Sequence, residues 1–170
     1  LVDARVPLSS RNPNIDDLGK NKARLVLLNK SDLADERCNL LWQEYFQEKG
    51  IHVLKVNARS GAGLKSIQGV VQEACREKIE RDRKRGILNR PIRAMVVGIG
   101  NKPGVTKGKQ WIRLNKNLEL LDTPGILWPK FEDQQVGIKL SLIGSIKDEI
   151  LNLDELALEL LKRLYTDYPG

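Results

Sequence analysis

Three short apolar runs, each closed by a polar turn, constrain this chain more than anything else in it: Arg24-Leu25-Val26-Leu27-Leu28, Val53-Leu54-Lys55-Val56 and Ala94-Met95-Val96-Val97. Each is strand length and too short for a helix, and a continuous apolar run suits a parallel strand covered on both faces. Between the runs, apolar residues recur at helical spacing. Leu40, Leu41, Tyr45 and Phe46 lead from the first run to the second, and Leu64, Ile67, Val70, Val71, Ala74 and Ile79 from the second to the third. Strand alternating with helix requires right-handed crossovers, so the expected fold is an α/β sheet with helices against its faces.

The pattern then changes. Gln110-Trp111-Ile112-Arg113-Leu114 and Leu118-Glu119-Leu120-Leu121 are separated by Asn115-Lys116-Asn117, a composition suited to a tight turn, so this pair reads as an antiparallel hairpin. A helix is expected over 134–143, and another from the cap candidates Asn152 or Asp154, burying Leu156, Leu160, Leu161 and Leu164. Leu1 to Arg5 reads as the tail of a strand. With 170 residues and no internal repeat or low-complexity linker, one core is expected.

Hydrophobic residues at 41% and charged residues at 30% exclude a disordered chain. No apolar run nears the roughly 18 residues of a membrane span, and LVDARVPLSS lacks the basic start and apolar core of a signal peptide, so a cytoplasmic protein is expected. Cys38 and Cys75 are far apart, with no CxxC and no nearby His, and are expected to be free thiols. The net charge of +7 favours a polyanionic partner. Part of it is clustered, since bases outnumber acids by five over 76–93. Two readings of that stretch stand level: a solvated helix end whose cations complement the helix dipole, or an RNA-facing patch with Arg81, Arg83, Lys84 and Arg85 at its centre.

The chemistry-bearing residues sit where such a sheet presents ligands. Asn29-Lys30-Ser31-Asp32 follows directly on the first run, at the carboxyl edge of a parallel sheet. A carboxylate at Asp32 can accept from the N1 and N2 hydrogens of guanine, a pairing adenine does not offer. The Asn29 amide and the Lys30 stem then hold the loop and cover the base. The second run ends in Asn57-Ala58-Arg59, where a main-chain N–H can reach the guanine carbonyl oxygen. A surface turn after a strand is the plain alternative for either motif alone. Their succession, one βα unit apart, is the stronger signal. At the end of the hairpin comes Asp122-Thr123-Pro124-Gly125, a DxxG pattern in which Asp122 reaches Mg²⁺ through water and the Gly125 N–H meets a γ-phosphate. Upstream, Pro103-Gly104-Val105-Thr106 offers a hydroxyl at Thr106 as a further Mg²⁺ ligand.

In ordinary GTPases the phosphate motifs precede the base motifs; here the order is reversed, as a circular permutation would make it. Asp3-Ala4-Arg5-Val6-Pro7 with Ser10-Arg11-Asn12-Pro13, then NKSD, PGVTKGKQW and LLDTPGILWPKFED, resembles the YlqF/RbgA group of permuted ribosome-assembly GTPases across nearly all of the chain. The resemblance implies a three-layer GTPase domain of the P-loop-NTPase kind over 1–168, circularly permuted, its mostly parallel sheet carrying one antiparallel hairpin strand. It also implies a GTP/GDP-binding enzyme that acts on the large ribosomal subunit and its rRNA, uses Mg²⁺, and works as a monomer. In that group the DARxP segment opens the permuted domain; a local cap and pair between Asp3 and Arg5 is the other reading.

Two departures bear on activity. GxxxxGK[ST], whose main-chain N–H groups and Lys cradle the phosphates, is expected after the strand ending at Val97 and is not in the sequence. Gly98-Ile99 looks like the entry to that loop, while Gly100-Asn101-Lys102-Pro103 already looks like the lead to Thr106. The loop, its helix and most of switch I are therefore missing between Ile99 and Gly100. A true deletion and a mobile loop left out of the observed residues compete as explanations; the second is physically reasonable and agrees with the abrupt start at Leu1. The group's C-terminal helical RNA-binding domain is missing as well. The second departure is Ile126, which follows DTPG where many GTPases have a water-orienting Gln. It implies slow intrinsic hydrolysis, with help from another residue, a monovalent cation such as K⁺, or the ribosome. No catalytic residue is assigned, and His52 is expected to face solvent just before its strand. The competing class is a non-catalytic RNA- or protein-binding module that kept the fold without its phosphate loop.

Overall fold

The computed structural model describes residues 1–88, 90–98, 110–122, 133–146 and 151–168. It divides into two units, Leu1–Ile126 and Leu127–Gly170.

In the first unit, β1 (Val2–Asp3), β2 (Leu25–Asn29) and β3 (His52–Val56) form a parallel sheet in that order, with Asp3 opposite Asn29 and Asn29 opposite Val56. A second sheet has the order β4 (Ile92–Val96), β6 (Leu118–Asp122), β5 (Gln110–Asn115). β4 and β6 are parallel, while β5 and β6 form the expected antiparallel hairpin, with an irregularity between Arg113 and Asn115. The Leu1 main-chain nitrogen donates to the Val97 carbonyl at 2.6 Å and so joins the two sheets along β1 and β4. Parallel pairing aligns strand ends. Asn29 and Val56 therefore lie together on one edge, as do Val96 and Asp122.

Helix α1 (Ile15–Leu18) lies between β1 and β2, and α2 (Glu36–Glu48) between β2 and β3. Asp35 caps α2, its carboxylate accepting from the Cys38 amide at 3.0 Å. The buried face of α2 is Asn39 and Phe46, with Trp42 and Tyr45 packed beside them; Leu40 and Leu41, expected inside, are exposed. Phe46 sits against Val2, Ala4, Leu28 and Ile51 to make the core under β1–β3. Helices α3 (Ile67–Ala74) and α4 (Arg76–Lys84) follow β3. His52 is the first residue of β3 and half-buried, its amide donating to the Arg24 carbonyl at 3.0 Å, rather than a solvent-facing residue before the strand.

The second unit contains α5 (Gln134–Leu142) and α6 (Leu153–Asp167), capped by Asp133 and Asn152 and packed on each other. Leu140 is buried, but Leu160, Leu161 and Leu164, expected to be covered, are exposed. Among the described residues no helix is long and apolar enough to cross a membrane, and both cysteines are free.

Candidate guanine-nucleotide site

The site is built where β2 and β3 end. Asn29 closes β2, and its side-chain oxygen accepts from the Ala58 amide at 3.0 Å, tying the NKSD loop to the loop after β3. Ser31 makes a second tie, donating through Oγ to the Val56 carbonyl at 3.2 Å. Asn39, buried on α2, holds the loop from below, donating through Nδ2 to the Ser31 carbonyl at 3.0 Å. Its role was not read from the sequence, where an Asn inside a helix gives no periodic signal.

The loop after β3 is shaped by its own side chain. Asn57 Oδ1 accepts from the amides of Arg59 (2.9 Å) and Ser60 (3.1 Å), while the Asn57 amide donates to the Ala62 carbonyl (3.0 Å). Gly63 closes the turn at φ +77°, where a Cβ would stand 2.3 Å from the Lys55 carbonyl oxygen. Of the main-chain N–H groups in Asn57-Ala58-Arg59, that of Ala58 is donated to Asn29. An incoming base would share or displace that bond.

Lys30 takes a left-handed backbone, φ 57° and ψ 35°, and opens a short 3₁₀ turn over Ser31–Leu33. Asp32 lies on that turn, exposed, with no ion pair or side-chain hydrogen bond among the described residues. A carboxylate so placed is available to a ligand. Lys30 reaches back instead, its Nζ 3.1 Å from Asp3 Oδ2. Asp3 also takes Arg5 in fork geometry, Nε to Oδ1 at 2.9 Å and Nη2 to Oδ2 at 2.7 Å. Burial alone would push the Asp3 carboxyl up; the bonds from Arg5 and Lys30 outweigh it and hold the group below its ordinary value. The local Asp3–Arg5 pair is therefore present, and the link to Lys30 extends it to the neighbouring strand.

The phosphate-side residues are described in part. Gly98 follows β4, where a Cβ would meet Leu1 Cβ at 3.2 Å. Asp122 ends β6 opposite Val96 and Gln110. Thr106 and Gly125 lie outside the described residues. Arg81, Arg83 and Lys84 form the last turn of α4 and Arg85 caps it, far along the chain from the base loops.

Residues 84–165 match the family model described as 50S ribosome-binding GTPase. Ribosome biogenesis GTPase A of Bacillus cereus is 47% identical over 189 residues, covering 99% of this chain and 64% of that protein. Its namesake from Bacillus licheniformis is 44% identical, covering 99% of this chain and 67% of the relative. GNP-bound YlqF from Thermotoga maritima superposes with a TM-score of 0.64 at 25% identity, over 97% of this chain and 67% of that one. This chain thus spans about two thirds of the length of these relatives. The alignment with the Bacillus cereus protein is longer than the chain's 170 residues, so the relative carries stretches with no counterpart here. The permuted motif order, the α/β architecture and these identities agree: the chain belongs to the YlqF/RbgA family of ribosome biogenesis GTPases.

Proposed function

We propose that this protein binds guanine nucleotides, hydrolyses GTP, and serves assembly of the large ribosomal subunit as a cytoplasmic monomer whose nucleotide state sets its hold on rRNA. The observation that carries the proposal is the bond from the Ala58 amide to the Asn29 side chain, which locks the two base loops together beside an exposed Asp32 that has no ion pair among the described residues. In this reading Asp32 accepts from the guanine N1 and N2 hydrogens, while Asn29, Lys30, Ser31, Asn57 and Ala58 hold and cover the base. A carboxylate is the acceptor that separates guanine from adenine.

Gly98 opens the phosphate side and Gly125 meets the γ-phosphate. The strand register supports this placement, since Val96 and Asp122 are partners at one sheet edge. Asp122, through water, and Thr106 would hold Mg²⁺, which keeps several waters and leans on phosphate oxygens instead of a full protein cage. Among the described residues no cluster of three or more His, Cys, Asp or Glu stands ready for a metal, and a cation held in this way requires none. When bound, the ion neutralises charge on the phosphate oxygens. Hydrolysis further requires a phosphate loop, which these 170 residues lack between Ile99 and Gly100, so we assign hydrolysis to the protein with that segment present. With Ile126 after DTPG, the intrinsic rate is slow, and another residue, a monovalent cation such as K⁺, or the ribosome supplies the assistance.

Helix α4 supports the RNA contact. The C-terminal end of α3 meets the start of β3, for Glu73 and Gly50–Val53 line one recess, and α4 follows directly. Arg81, Arg83, Lys84 and Arg85 are all exposed. Lys20, Lys22, Arg24 and Lys49, together with Asp16 and Asp17, line a recess of about 460 Å³ where the strands begin. The exposed bases of α4 suit rRNA phosphates. Equilibrium dialysis with millimolar GDP and ADP tests the base reading: a clear preference for GDP supports it, and equal affinities would remove it.

A further inference from the structure

Lys30 holds a backbone conformation that residues with a Cβ rarely adopt, and a specific long-range contact accompanies it. Its ammonium reaches a carboxylate on the neighbouring strand, Asp3 Oδ2, at 3.1 Å. That carboxylate is a fixed point. The Asp3 side chain is only 9% exposed. Its backbone is registered opposite Asn29, the Ala4 amide donates to the Asn29 carbonyl at 2.8 Å, and the Asp3 amide donates to Ser10 Oγ at 2.8 Å. Arg5 already engages both carboxylate oxygens, through Nε, Nη2 and its own amide. The bond from Lys30 is therefore not required to satisfy Asp3; what it adds is a restraint on the loop.

We propose that Asp3 is the positioning residue of the base loop: its buried carboxylate anchors Lys30, and the anchored left-handed turn delivers Ser31 and Asp32 to the guanine edge. An exposed ion pair on its own contributes little, because both side chains must be ordered and water screens them. Here one partner is ordered beforehand by β1, Ser10 and Arg5, so only the lysine has to be immobilised. The consequence lies one residue on. The Leu33 amide donates to the Lys30 carbonyl at 2.9 Å, so the turn carrying Asp32 closes on the residue that Asp3 holds.

The inference rests on the reading of Asp32 as the guanine acceptor, and the experiment separates the two. Asp3→Asn and Asp32→Asn are made in the full chain, and two quantities are measured. The first is the ratio of affinities for GDP and inosine diphosphate, which lacks the exocyclic amine. The second is amide exchange at Leu33 against that at His52, whose amide bonds the Arg24 carbonyl at the far end of β2 and β3. We expect Asp3→Asn to lower the ratio about five-fold or more, and to speed exchange at Leu33 while leaving His52 unchanged. Loss of folded protein would scale both nucleotides together and raise exchange at both amides, so it does not imitate this result. An unchanged ratio with unchanged Leu33 exchange overturns the proposal. If the wild-type protein does not distinguish the two nucleotides, the base reading fails, and Leu33 exchange alone decides whether Asp3 anchors the turn.

Discussion

Asp32→Asn separates function from stability, because of where the structure puts the side chain. The carboxylate is exposed and has no partner among the described residues, so exchanging it for the isosteric amide leaves no protein group unpaired. The change in unfolding free energy should stay within about 0.5 kcal/mol. Binding behaves differently. On the proposed reading two donors on guanine meet one carboxylate, and a charge-assisted contact of that kind contributes about 1.5–3 kcal/mol. Affinity for GDP should therefore fall roughly ten- to 150-fold. Xanthine carries an oxygen where guanine carries the exocyclic amine, and the side-chain amide introduced by the substitution can donate to it, so xanthosine diphosphate should gain what GDP loses. Competition titrations of GDP against xanthosine diphosphate, run beside urea unfolding curves on the same samples, measure both sides. A mutant that keeps the wild-type guanine preference would remove Asp32 from the site, and one that loses affinity only in proportion to lost stability would refute the argument from exposure.

Neutralising Arg81, Arg83, Lys84 and Arg85 together should weaken binding to large-subunit particles and flatten its salt dependence, each lost phosphate contact lowering the log–log slope by roughly 0.7–0.9; unchanged slopes would leave α4 a solvated helix. Gly125→Ala, in a chain carrying the phosphate loop, should spare GDP binding and abolish any difference in hydrogen exchange over 126–133 between GDP and a non-hydrolysable GTP analogue. Phe46→Ala should cost about 3–5 kcal/mol in urea unfolding, because the ring is fully buried between Trp42, Tyr45 and the core under β1–β3. Asp3 is held below its ordinary value, so its contribution to stability is complete above the ordinary carboxylate range and is lost as pH falls through the lowered folded value. Asp3→Asn should accordingly flatten the acid limb of a stability–pH curve, and an unaltered limb would deny the carboxylate that role.

The strands, and the places of NKSD and Asn57 at their ends, were legible because they depend on local pattern. An apolar run closed by a polar turn needs no partner to be recognised, and NKSD after such a run falls at the end of β2, with Asn57 directly after β3. Helix existence was legible too, but not the face. On α2 Tyr45 and Phe46 pack inward as their spacing implied, but Leu40 and Leu41 are exposed and Asn39 is buried instead, donating to the Ser31 carbonyl. Such a choice is made by the fold and leaves no trace in periodicity. The tie between Lys30 and Asp3 was hidden for a similar reason: residues 27 apart become neighbours only once β1 pairs with β2. The bond from the Ala58 amide to the Asn29 side chain was likewise invisible in the sequence, since it joins two loops that meet only when β2 pairs with β3.

Permutation changes the order in which the motifs are met along the chain, but the site depends on strand ends sharing an edge. Parallel register provides this for Asn29 beside Val56 and for Val96 beside Asp122, wherever the chain is cut. The base corner is also self-contained. Its ties run from Ala58 to Asn29, from Ser31 to Val56, from Asn39 to Ser31 and from Lys30 to Asp3, all among residues 3–58. On the proposed reading, base recognition can be built and held by these ties alone, while tight retention of the nucleotide also needs the main-chain donors of a phosphate loop. Selectivity and affinity are, on that reading, carried by separate parts of the domain.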